Sequence, residues 1–109
     1  MKQANVFYNN TKAGILIEND EGAYEFIYDE QYLVNSSMPS ISVNLPKNNR
    51  HYRSKILFPF FYNMLSEGAN RKIQCRILKI DEEDDFELLI KTAAHETIGA
   101  ITVQEINEQ

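Results

Sequence analysis

A chain of 109 residues with 43% hydrophobic and 11% aromatic residues has the size and apolar content of one domain around one core. Its net charge of −5 argues against nonspecific nucleic-acid binding, which needs clustered cations, and no run approaches the roughly 20 apolar residues that cross a bilayer. The N-terminal residues lack the apolar stretch of a secretory signal, so a cytoplasmic location is expected. The single Cys75, with only His51 and His95 beside it, offers neither an internal disulfide nor metal-ligand spacing.

Residues 4–8 and 12–18 are apolar and β-prone, and Asn9-Asn10-Thr11 between them tolerates a tight turn, which predicts a hairpin. Asn19-Asp20-Glu21-Gly22 makes a second turn into a strand in which Tyr24, Phe26 and Tyr28 alternate with Ala23, Glu25 and Ile27. Asp29 is expected to cap a short helical turn through Leu33, and residues 35–39 to break regular structure. Ile41, Val43 and Leu45 alternate with Ser42 and Asn44, the pattern of a half-buried strand ended by Pro46, and residues 47–51 read as a polar loop.

Pro59 suits a first helical position, and Phe60, Phe61, Met64 and Leu65 repeat at helical spacing, predicting a helix that runs to Gly68. Residues 69–80 carry Ile73, Ile77 and Ile80 on one face, with Cys75 off that line. Asp81 is placed as the cap of a further helix whose acidic first turn suits the dipole and whose Phe86, Leu89, Ile90 and Ala93 form one stripe. Residues 99–103 are β-prone and are expected to return to the sheet. The fold expected over residues 1–109 is a single α+β domain: N-terminal antiparallel strands, as a meander or small barrel-like sheet, packed against C-terminal helices with a final returning strand.

The four glycines, Gly14, Gly22, Gly68 and Gly99, are isolated and make no phosphate-cradling loop, so no nucleotide or other cofactor is expected. Asp81, Glu82, Glu83, Asp84 and Asp85 read as a solvated helix end, and no histidine has a serine or cysteine nucleophile at a motif spacing. Cys75 reads as a small buried hydrophobe, and Phe58, Phe60, Phe61 and Tyr62 as core, Tyr62 least because of its polar tip. Glu67 and Arg71, four residues apart, are spaced to pair on a helix. Between Lys47 and Arg76 seven basic residues stand against one acid, Glu67, so this third of the chain carries +6 and the remainder −11.

The run Ile41-Ser42-Val43-Asn44-Leu45-Pro46, then Tyr52-Arg53-Ser54-Lys55, then residues 58–68, FPFFYNMLSEG, resembles the first N-terminal subdomain of HipA-type serine/threonine kinases. That family's pattern is approximately S-x-S-L-P, Tyr-x-x-Lys and L-x-P-F-F-x-x-L-L-P-E-G. Asp84-Asp85-Phe86-Glu87-Leu88-Leu89 and Ile98-Gly99-Ala100-Ile101-Thr102-Val103 look like its D-D-x-F-x-L-L and V-G-A-L-x-V. Ser66 departs from the pattern's Pro, Ala69 stands where many relatives have Trp, and Ala94-His95-Glu96 replaces a Gly-x-Asp.

In that family the subdomain precedes the kinase proper, and a chain of this extent is similar to the separate small subunit of three-component HipBST toxin–antitoxin systems. The resemblance implies a noncatalytic antitoxin that binds a HipT-like serine/threonine kinase and, indirectly, a HipB-like DNA-binding protein. It places Ser66, Glu67, Gly68, Ala69, Asn70 and Arg71 in a projecting connection that faces the kinase. Ala69 is too small to plug a cleft, so Arg50, Arg53, Arg71 and Lys72 are expected to supply charge complementarity to an acidic face of the partner. The alternative is a structural or stabilising subunit of the same complex, supporting kinase folding or operator binding. A hydrolase or nucleotide-binding domain with a dispersed site is the third class, disfavoured by the missing nucleophile constellation.

Overall fold

In the computed structural model, which describes residues 2–93 and 100–106, β1 (Lys2–Tyr8) and β2 (Thr11–Glu18) pair as an antiparallel hairpin. Asn9 and Asn10 turn the chain with φ of 52° and 87°. A two-residue hairpin turn of this kind needs positive φ at both positions, and asparagine is among the few residues with a side chain that accept it. Gly22, at φ 82°, closes the next turn, in which the Asn19 side-chain oxygen accepts from the amides of Glu21 and Ala23.

β3 (Tyr24–Tyr28) buries every second residue, as its alternation demands. Each of those buried aromatics meets a ring from a different helix. Tyr32 of α1 (Glu30–Val34) stacks on Tyr28 at 5.9 Å, Phe61 of α2 (Pro59–Tyr62) lies 6.0 Å from Phe26, and Phe86 of α4 (Asp85–Thr92) lies 6.5 Å from Tyr24. Three helices are thus pinned to one face of the sheet by one strand. The opposite face carries the half-buried Ile15, Ile17 and Ile27.

Two strand assignments change. Ile41 and Leu45 are buried, but Val43 is 91% exposed and residues 41–45 form turns. Their backbone is satisfied by a side chain: the Tyr28 hydroxyl donates to the Leu45 carbonyl and accepts from the Ile41 amide at 3.1 Å. No ladder is needed, so the period-two pattern here records the two ends of a turn. The fourth strand is instead β4 (His51–Ser54), polar and exposed on alternate residues, which begins in the segment expected to be loop.

The helices also differ in detail. α2 is a single turn with Pro59 at its start, and its hydrogen bonds then tighten, with the Met64 and Leu65 amides donating three residues back to Phe61 and Tyr62. α3 (Gly68–Leu78) buries Cys75, 2% exposed, as expected of a small hydrophobe, and turns the line of Ile73 and Ile77 to solvent. Asp29 caps α1 by backbone geometry, without a side-chain bond. Asp84, not Asp81, caps α4, accepting from the Glu87 amide at 3.1 Å, while Asp81 accepts from the Glu83 amide in the preceding turn.

β5 (Ile101–Glu105) returns antiparallel to β1. Among the described residues the sheet order is β4-β3-β2-β1-β5, an open α+β sheet that is not closed, so the barrel-like alternative does not hold. Ala94, His95, Glu96, Ile98 and Gly99 lie outside the described residues.

Candidate partner-binding site

The connection between α2 and α3 is shaped by where the core ends. Leu65, 7% exposed, is the last buried residue before it; Ser66 is half-buried, and Glu67, Gly68, Ala69 and Asn70 are exposed. Glu67 is extended, and Gly68 then takes φ 60° to swing the chain into α3. A Cβ at Gly68 would have open space around it but a strained backbone, which explains why glycine stands at that point. Only Glu67 to Asn70 are exposed, and only Ser66 and Glu67 precede α3; Gly68 to Arg71 form its first turn.

Arg71 does not project. Its Nε donates to the Glu82 carbonyl at 3.0 Å and its Nη2 to the Asp85 carboxylate at 2.6 Å, and its side chain is 14% exposed. The hydrogen bond to Asp85 raises the guanidinium pKa further above its ordinary value. This ties the first turn of α3 to the start of α4 across the acidic loop, so Arg71 is a structural clasp and its expected pairing with Glu67 is replaced. The distant partner follows from the fold, since no local spacing rule links positions fourteen residues apart.

Arg50 and Arg53 lie elsewhere, just before β4 and on it. Arg50 donates to the Tyr28 carbonyl at 3.1 Å and to the Glu30 carboxylate at 3.0 Å. Arg53, on β4, is 77% exposed and lies 3.7 Å from the Glu25 carboxylate, which His51 also approaches at 2.6 Å. The basic island is therefore not one patch: Arg50 and Arg71 are engaged within the chain, Lys47 donates to the Asn35 and Met38 carbonyls, and Arg53 is the freer of the two β4-side arginines.

A shallow apolar pocket of about 320 Å³ lies beside the clasp, lined by Ile56, Leu57, Pro59, Tyr62, Asn63 and Asp85. Among the described residues no group of three or more His, Cys, Asp or Glu side chains is placed to hold a metal ion. No described helix is long and apolar enough to cross a membrane. The geometry offers surface for binding: an exposed turn, an apolar hollow and a helix with apolar side chains outward. The sequence places Ile73 and Ile77 on one face without saying which way that face turns, and the structure turns it to solvent.

A sequence profile of the HipA N-terminal domain matches residues 4–104, and the chain belongs to that family. Among solved structures, the N-terminal domain of HipA toxin shares the fold with a TM-score of 0.76 at 23% identity, covering 100% of this chain and 96% of that one. An uncharacterized protein of Haemophilus influenzae is 28% identical over 105 residues, 96% of this chain and 93% of its own length. The putative kinase Y4mE of Sinorhizobium fredii is 27% identical over 85 residues, 78% of this chain but only 20% of that protein.

Proposed function

We propose that the chain is a noncatalytic, HipS-type antitoxin that acts in the cytoplasm by binding and neutralising a HipT-like serine/threonine kinase, and through it joins a HipB-like DNA-binding protein. One observation carries the reading: a similar domain makes up nearly all of the Haemophilus relative and about a fifth of a putative kinase. A domain that packs on its kinase within one polypeptide keeps the complementary surface when it is separate. The association then becomes intermolecular and must offset lost translational freedom through contact quality. The exposed turn from Glu67 to Asn70 and the apolar hollow beside the Arg71–Asp85 clasp are surfaces of that kind.

Titrating the purified chain into a HipT-like kinase while following phosphate transfer tests the proposal. Activity is expected to fall to background near one chain per kinase, with no ATP turnover by the chain alone. A complex whose activity stays unchanged would make the chain a stabilising subunit instead, and absence of a complex would exclude both roles.

A further inference from the structure

Helix α3 is apolar on the side that faces water. Ile73 is 53% exposed, Ile77 73% and Leu78 42%, whereas Cys75 is the residue the helix buries. At about 100° per residue, Ile73 and Ile77 stand some 40° apart, each about 160° from Cys75, so they form one stripe directly opposite the attachment line. Three of the seven exposed large apolar side chains among the described residues belong to this one helix. Isolated exposed apolar residues are ordinary, but a pair one turn apart is an anchor pattern.

The stripe has a charged flank on one side. Lys72 and Arg76, also one turn apart, are exposed and form no ion pair among the described residues, and no acidic residue occurs from Gly68 to Ile80. From this geometry we infer that the outer face of α3 docks into an apolar groove edged with carboxylates on a partner protein, with Ile73 and Ile77 as anchors and Lys72 and Arg76 against the acidic edge. The inference rests on the kinase-binding reading and names the surface that makes the contact. A second copy of the chain is the poorer occupant, because facing α3 helices would set like charges together at a cost. An anionic lipid surface is also poorer: five consecutive acids, Asp81 to Asp85, follow the helix at once, and the chain carries −5 overall.

Two double variants test this, Ile73→Ser with Ile77→Ser and Lys72→Glu with Arg76→Glu. Because these side chains are solvent-exposed, both variants are expected to unfold at the native urea midpoint. Each is expected to bind a purified HipT-like kinase at least tenfold more weakly, the charge variant mainly through a slower association rate. Should the serine variant fail to fold, the charge variant alone decides the question. If the native chain binds the kinase and the folded variants bind equally well, the surface assignment is overturned while the antitoxin reading stands. If the native chain does not bind, both fall. Native self-association, or binding to phosphatidylserine vesicles, that is lost in the serine variant would overturn the protein-groove assignment.

Discussion

Arg71 illustrates how a side chain that looks available in the sequence can be committed by the fold. Its planar fork reaches a main-chain carbonyl and a carboxylate together, which a point-charge ammonium cannot reproduce in the same geometry. Removing it leaves Asp85 without its cation and the Glu82 carbonyl without its donor. Arg71→Ala is therefore expected to lower unfolding free energy by about 1–3 kcal/mol in urea titration, with Arg71→Lys recovering only part of the loss. An unchanged stability for Arg71→Ala would mean that the clasp is ordinary exposed surface chemistry. Arg53, by contrast, is largely exposed and loosely placed near Glu25, and its replacement should leave stability within about 0.5 kcal/mol.

The hairpin of β1 and β2 depends on two close constraints that belong to strands and turns. Gly14 sits in β2 opposite Tyr28 of β3, and a Cβ there would come 2.3 Å from the Ile27 carbonyl oxygen and 2.9 Å from the Phe26 ring. The carbonyl belongs to the backbone ladder and cannot move aside cheaply. Gly14→Ala is expected to cost more than about 2 kcal/mol, read as a lowered thermal midpoint, or to shift the local register. At the turn, Asn10 holds φ 87°, where glycine is less strained, so Asn10→Gly should raise stability by up to about 1 kcal/mol. A turn variant that is destabilised would show that the asparagine side chain contributes more than the backbone strain removes. α3 is attached by Cys75 and by the Arg71 clasp, which leave the line of Ile73 and Ile77 on its outer side.

Across the whole molecule, the core is organised by tyrosines whose rings pack inward while their hydroxyls hold loop backbone. Tyr28 satisfies the turn at residues 41–45, and Tyr32 donates to the Pro39 carbonyl at 2.5 Å. Burial pushes the Tyr32 hydroxyl up to about 12 and raises those of Tyr24 and Tyr28. In the unfolded chain these groups ionise near 10, so above that pH the unfolded state binds fewer protons than the folded one. The Tyr32 contribution to stability is complete below pH 10 and is lost as pH rises toward 12. Urea midpoints measured from pH 8 upward are expected to fall increasingly steeply beyond pH 10, and Tyr32→Phe should flatten that fall by about one proton's slope. The same slope in both proteins would remove Tyr32 as a source.

Local sequence by itself determined the hairpin, the meander and the aromatic alternation of β3, because turn residues and strand period act over a few positions. It also carried the family resemblance, since Pro59 at a helix start and Gly68 at positive φ are requirements of the backbone itself. The alternation at Ile41, Val43 and Leu45 was legible but misleading, because the tyrosine hydroxyl that replaces its ladder comes from a residue thirteen positions away. Likewise the apolar row on α3 could be read from the sequence, but its direction could not: hydrophobicity is the same on either side of a helix, and only the packing of Cys75 and the clasp from Arg71 to Asp85 decide which side is turned to water.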